Sequence, residues 1–369
     1  MNVPLLKIIL VAGARPNFMK IAPILECMKK YPDRLEPRLI HTGQHYDKNM
    51  SRVFFEDLGM PEPDVYLGVG SASHAVQTAK VMTEFEKILE KEKPDWVLVV
   101  GDVNSTLACS LVAVKMDIPV AHVEAGLRSF DRRMPEEINR ILTDQISDRL
   151  FITSEEAVTN LNNEGISTDK IFFVGNAMIE SLIKAKKKIS ESSILTQMKL
   201  KPKSYSLLTL HRPSNVDTHD TFYNIMKAIQ NIGEQLPVIF PAHPRTQKQM
   251  ASFSMDTDNI VMIDPVGYHD FLALEMNAGL VLTDSGGLQE ETTYFGVPCL
   301  TIRENTERPV TVTEGTNVLV GTDPDKILKE AETIFAGNFK KGTVPKYWDE
   351  HVSARIVDVF LNGKVSENT

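Results

Sequence analysis

Cysteine is scarce in this chain. Its 369 residues hold three, Cys27, Cys109 and Cys299, far apart and odd in number. That usage excludes a dense disulfide framework and fits a reducing compartment. No run of 18 apolar residues occurs, so a transmembrane helix is not expected. The apolar start LLKIILVAGA has no basic lead and runs on into RPNFMK, which reads as a strand and not as a signal peptide. A cytoplasmic protein is expected. Positive charge is in deficit, with 40 Lys and Arg against 49 Asp and Glu and a net charge of −9. This argues against a nucleic-acid or membrane partner and still allows a local basic pocket for a small anion. No Gly-x-Gly-x-x-Gly follows an apolar run, and no Gly-x-x-x-x-Gly-Lys-Ser/Thr is present. Nothing therefore supports an NAD site or a P-loop. His41 and His45 stand four apart in HTGQHYD but lack the glutamate of a zinc-binding helix, so no metal is expected.

What the chain does contain is a rhythm. Short apolar runs alternate with longer amphipathic segments. Six runs precede residue 175: KIILV (7–11), PRLIHT (37–42), WVLVV (96–100), IPVAHV (118–123), RLFIT (149–153) and KIFFV (170–174). Six follow it: YSLLTL (205–210), PVIFP (237–241), NIVMI (259–263), GLVLT (279–283), PCLTI (298–302) and NVLVG (317–321). Runs this short that do not alternate suit strands buried on both faces of a parallel sheet. The rhythm predicts an α/β fold with right-handed crossovers, and the length calls for two domains. The Lys- and Ser-rich stretch 183–204 marks the change of domain, placed at Gly175. The expected division is 1–174 and 175–351, with an amphipathic C-terminal helix, 352–363, returning to the first domain.

Ligands of open α/β sheets bind beyond the carboxyl ends of the strands. The residues there are informative. GARPNFMK places Arg15 and Lys20 near a helix start, where the dipole favours anions. GDVNST puts Asp102 at a strand end, where it could equally cap a helix. HVEAGLRSFDRRMPEEINR brings Glu124 to the end of a buried strand, a position that needs a reason. In the helix that follows, Pro135 opens the first turn and Glu136 stands four before Arg140, a spacing that allows them to pair. LTLHRPSN and FPAHPRT set His211 and His243 at strand ends, each near an arginine, which suggests a polyanion site. LTDSGGLQEET is the strongest local signal. Its glycines Gly286 and Gly287 let backbone N–H groups approach a phosphate, Ser285 adds a hydroxyl, and an acidic residue one turn on suits ribose hydroxyls.

Taken in order, GARPNFMK, GDVNST, HVEAGLRSFDRRMPEEINR, LTLHRPSN, TDSGGLQEET and TERP resemble the non-hydrolysing UDP-N-acetylglucosamine 2-epimerases, from about residue 7 to about residue 321. The resemblance implies the GT-B architecture, two Rossmann-like domains facing a cleft, usually in a homodimer. It implies interconversion of UDP-N-acetylglucosamine and UDP-N-acetylmannosamine by elimination of UDP and re-addition, supplying surface-polysaccharide precursors without a cofactor. By motif, Asp102, Glu124 and Glu136 resemble the family's catalytic carboxylates, and His211 is counted with them. Arg15, Lys20 and Arg140 resemble groups around the sugar and diphosphate. Ser285, Gly286 and Gly287 resemble the phosphate turn, Glu291 the ribose contact and Arg308 a further diphosphate contact. Phe271 stands where the family packs against uracil.

One segment departs from the pattern. Many bacterial members bind a second substrate molecule as activator through a Gln-His segment followed by basic and glutamine positions. Here Gln44 and His45 remain and the following positions differ, so weak or absent substrate activation is expected. Four alternatives are weighed: a 2-epimerase of a modified sugar such as UDP-2,3-diacetamido-glucuronate, a hydrolysing relative, a non-catalytic nucleotide-sugar sensor, which the full set of carboxylates disfavours, and a GT-B glycosyltransferase. The last would share the Ser-Gly-Gly turn but has no need for the three carboxylates.

Overall fold

The computed structural model describes residues 4–43, 55, 59–255 and 257–365, the side chain of Arg15 apart. Gln44 and His45 lie outside the described residues. The chain divides into two compact units, Met1–Lys184 with Lys346–Thr369, and Ala185–Pro345.

The first unit is built on a parallel sheet of seven strands: β1 (Leu6–Ala12), β2 (Leu35–His41), β3 (Val65–Tyr66), β4 (Trp96–Val100), β5 (Val120–Ala125), β6 (Arg149–Ile152) and β7 (Ile171–Phe173). The spatial order is β3-β2-β1-β4-β5-β6-β7. The second unit carries six: β8 (Ser206–Thr209), β9 (Val238–Pro241), β10 (Ile260–Ile263), β11 (Leu280–Thr283), β12 (Cys299–Thr301) and β13 (Asn317–Leu319), in the order β10-β9-β8-β11-β12-β13. All twelve apolar runs form strands. The additional strand, β3, is two residues of an edge, pairing Ile40 with Val65 and His41 with Tyr66. It is too short to show as an apolar run.

Burial explains why these runs need no alternation. Ile8, Ile9, Leu10 and Ala12 of β1 are sealed from solvent because helices cover both faces of the sheet. The helix His74–Glu92 buries Gln77, Val81, Phe85 and Leu89, one residue every fourth, against that layer. Each apolar side chain so buried contributes roughly 1.5–3 kcal/mol. The C-terminal helix Val352–Asn362 belongs to the first unit. Its first turn has no side-chain cap of its own. The buried carboxylate of Glu180 accepts from the Ser353 N–H at 2.6 Å and from its hydroxyl at 2.6 Å. The chain leading to this helix crosses Gly175, at φ +92°, so closely that a β-carbon there would collide with the Tyr347 backbone. The Lys-rich stretch after residue 183 is partly helical: Ala177–Ser190 buries Ile179, Leu182, Ala185 and Ile189. No helix of the described residues is long and apolar enough to cross a membrane.

Both sheets share the strand order 3-2-1-4-5-6, the first with one more strand at the edge. In this order the connections from the two central strands run to opposite sides, leaving a crevice at their carboxyl ends. In the first unit that point lies between β1 and β4, in the second between β8 and β11.

Candidate active site

At the first crevice, the turn after β1 is set by Asn17. Its carbonyl accepts from the N–H groups of Gly13 (3.0 Å) and Ala14 (2.9 Å), and its amide donates to Val100 O at the end of β4 (3.1 Å). The helix Arg15–Met28 starts there, with Arg15 as its first residue. Lys20, buried in the second turn, forms an ion pair with Glu124 of β5. Glu124 has φ +74°, and the register of β5 against β6 shifts between Val123 and Ala125. A left-handed conformation costs a non-glycine residue roughly 1–2 kcal/mol. Strain of this kind collects where a side chain must be aimed. Gly101, at φ +66°, keeps the space open: a β-carbon there would stand 3.3 Å from Lys20 Nζ and 3.4 Å from Glu124 Oε2.

Asp102 does not cap the next helix, whose N-cap is Val103. Its carboxylate pairs with the Arg140 guanidinium and is 29% exposed, so it faces outward. The expected pairing of Glu136 with Arg140 is not what forms. The helix Pro135–Ile146 turns Glu137, Arg140 and Asp144 inward and leaves Glu136 exposed. Arg140 binds Glu137 through Nη2 (2.6 Å) and Nε (3.1 Å). Glu137 also accepts from the N–H groups of Ser129 (3.0 Å) and Phe130 (2.8 Å), so it fixes the loop before its own helix. Burial would raise the Glu137 carboxyl, but the Ser129 N–H and Arg140 outweigh it and hold the group below the usual carboxylate range. Residues 137, 140 and 144 share a helix face at spacings of three and four, the signal that would have favoured Glu137 over Glu136 as the inward carboxylate.

A buried histidine also went unread. His122 lies in the middle of β5 with no solvent exposure. Nδ1 stands 2.7 Å from Asp144 Oδ1 and Nε2 stands 2.8 Å from Gly101 O. Both ring nitrogens thus stand at hydrogen-bond distance from an oxygen. Asp144 also takes Arg128 (2.7 Å) and the Gly126 N–H (3.0 Å). This buried set ties the Gly101 turn to the Glu124–Gly126 turn. The signal was a histidine inside an otherwise apolar strand. His41, at the end of β2, is different. Burial pushes its imidazole down to about 4, and Nδ1 accepts from Gly43 N–H at 2.8 Å, so it is a neutral structural group.

At the second crevice the organising group is Asp284, just after β11 and fully buried. It accepts from the backbone N–H groups of His211 (3.0 Å) and Arg212 (2.9 Å), and lies 2.9 Å from His211 Nδ1. Burial would raise its carboxyl, but His211 and these N–H groups hold it low. His211 thereby stands exposed beside Ser285, the N-cap of the helix Gly286–Phe295. Gly286 is a close approach: a β-carbon would lie 2.6 Å from Arg308 Nη1 and 2.6 Å from Glu307 Oε1. Arg308 is held by Glu307 and by Glu290 at 2.9 Å. His211, Ser285, Gly286, Gly287 and Arg308 are thus gathered at one strand-end turn and helix start. Glu291 is buried in that helix, and Phe271 is half-buried in the helix Tyr268–Asn277. His243 is exposed and caps the helix Pro244–Ser252, accepting from the Arg245 N–H at 3.2 Å, while Arg245 pairs with Asp217 at 2.7 Å.

In chemical terms the first crevice offers two carboxylates, each held by a cation, and the second offers a phosphate-type turn beside an arginine. The family model described as UDP-N-acetylglucosamine 2-epimerase matches residues 28–361. A UDP-N-acetylglucosamine 2-epimerase of Methanocaldococcus jannaschii is 44% identical over 97% of this chain and 100% of that protein. A UDP-2,3-diacetamido-2,3-dideoxy-D-glucuronate 2-epimerase of Pseudomonas aeruginosa is 44% identical over 89% of this chain and 92% of that one. The solved structure of the Methanocaldococcus jannaschii enzyme in complex with UDP-GlcNAc and UDP matches with a TM-score of 0.89, covering 96% of this chain and 99% of that one. That likeness extends over both parallel-sheet units, the pair that the GT-B class comprises. The chain belongs to the UDP-N-acetylglucosamine 2-epimerase family.

Proposed function

We propose that the protein interconverts UDP-N-acetylglucosamine and UDP-N-acetylmannosamine by inverting C2, the second unit taking UDP and the first unit the sugar. The observation that carries this reading is the pairing of Asp102 with Arg140 and of Glu124 with Lys20 at the crevice of the first sheet. The C2–H bond of the sugar has no neighbouring carbonyl, so a base alone cannot remove the proton. As the C1–O bond to UDP breaks, C1 becomes oxocarbenium-like and the C2 proton becomes acidic. Loss of that proton forms a C1=C2 double bond, giving 2-acetamidoglucal and UDP. Re-addition forms the C1–O bond again and delivers a proton to C2 from the other face. Such chemistry needs carboxylates that move protons and cations that hold the departing diphosphate. Asp102 and Glu124 fill the first role, with Glu136 as the third carboxylate at the exposed side of the Arg140 helix. Arg15, Lys20 and Arg308 fill the second, with the backbone N–H groups and hydroxyl of the Ser285-Gly286-Gly287 turn, and His211, beside them. The relatives named above support this substrate class.

Proton NMR of the protein with UDP-N-acetylglucosamine in D2O tests the reading. The expected result is UDP-N-acetylmannosamine carrying deuterium at C2. Free N-acetylmannosamine with UDP would replace the reading by hydrolysis. A second reading, epimerisation of UDP-2,3-diacetamido-glucuronate, is favoured by the equal identity to the Pseudomonas aeruginosa relative. It wins if only that sugar exchanges.

Arg308 supplies a separate check. Calorimetry of Arg308→Ala should show UDP affinity falling by about tenfold or more, the loss of a charge-assisted contact. Uridine affinity should stay unchanged. Equal UDP affinity in variant and wild type removes Arg308 from the diphosphate site.

A further inference from the structure

Glu275 is a carboxyl group with no solvent exposure, on the helix Tyr268–Asn277. Among the described residues no N–H or hydroxyl donates to either of its oxygens. What it faces is the carboxyl of Glu291, 4% exposed, on the neighbouring helix Gly286–Phe295. Two buried carboxyl groups in such contact cannot both be ionised, because like charges in a low-dielectric interior repel strongly. A single proton between them turns the repulsion into a hydrogen bond, with one group donating and the other accepting. Burial and the facing Glu291 raise the Glu275 carboxyl well above the usual carboxylate range. The nearby Cys299 thiol, pushed by burial up to about 12, stays neutral. Phe271 stands four residues before Glu275, on the same side of the helix. One helix thus carries both the residue read as the base contact and the partner of the residue read as the ribose contact.

We propose that Glu275 is the positioning residue for Glu291: as a carboxylic acid it donates a hydrogen bond to the Glu291 carboxylate and turns it to accept the ribose hydroxyls of a uridine nucleotide. This rests on the reading that Glu291 meets the ribose. Glu275 itself touches no substrate. Its effect is therefore on nucleoside discrimination and not on the diphosphate.

The test compares UDP with 2′,3′-dideoxy-UDP by calorimetry on the whole chain. Wild type should prefer UDP. Glu275→Gln, whose amide can still donate, should keep that preference. Glu275→Leu, which cannot donate, should lose about tenfold in UDP affinity and bind dideoxy-UDP as wild type does. A preference unchanged in Glu275→Leu, or lost in Glu275→Gln, overturns the inference. No preference in wild type overturns the ribose reading of Glu291 itself, which separates the two failures. Should Glu275→Leu not fold, infrared difference spectra of wild type against Glu275→Gln decide. A protonated-carboxyl band at neutral pH that shifts on adding UDP is expected. No such band, or one that UDP leaves in place, overturns the proposal.

Discussion

Replacing Glu124 by Gln should lower turnover by about a thousandfold, the scale of a lost general acid–base group, while UDP affinity stays as in wild type. The amide keeps the shape of the side chain and can still accept from Lys20, but it cannot take or return a proton at C2. The position supports so large an effect. Glu124 occupies a strained left-handed conformation at the end of β5, with Lys20 across from it and Gly101 keeping the space above them open. A residue serving only as a buried counter-ion would not need that backbone. The measurement is a steady-state rate with C2 deuterium exchange, alongside UDP calorimetry and thermal melting. Loss of UDP affinity and of melting temperature in step with the rate would make Glu124 a clamp for Lys20 instead of a proton carrier.

The second large effect concerns stability. Asp144→Ala should destabilise the protein by about 3–5 kcal/mol, the usual result of removing one partner from a buried charge network. Asp144 is fully buried and joins His122, Arg128 and the Gly126 N–H. Without it, His122 and the Arg128 guanidinium lose a buried partner. Thermal unfolding followed by circular dichroism should show Tm falling by on the order of 10 °C. A shift of only a degree or two would mean that solvent, or a rearranged Glu164, the other carboxylate paired with Arg128, replaces the lost one.

The same network sets an acid limit. Burial would raise the Asp144 carboxyl, but His122 and Arg128 hold it below its ordinary value of 3.8. A carboxyl whose folded pKa is depressed stabilises fully above its unfolded pKa. That stabilisation is lost as pH falls through the folded value. Wild type should therefore lose this part of its stability only below about pH 4. The alanine variant should be less stable already at pH 7 and show a flatter acid limb.

The sequence by itself determined the α/β class, twelve of the thirteen strands among the described residues, the strand-end residues of both halves and the family resemblance. These are legible because burial on both faces of a parallel sheet leaves continuous apolar runs, and because turns and helix starts demand particular residues next to them. Only the tertiary structure decided what the inward carboxylates meet. Glu136 and Glu137 are neighbours in one helix; the spacing of 137, 140 and 144 marks the buried face, and the rotation of the helix against the sheet sets Glu137 on it and leaves Glu136 exposed. The same holds for Arg140, whose partners are Glu137 and Asp102 because the ends of β4 and of the following loop are brought beside its helix. His122 and Asp144 meet, and Glu275 meets Glu291, by the packing of separate elements. Periodicity along a chain reports which face of an element is buried. The partner found there is fixed by strand register and helix rotation, which belong to the folded molecule.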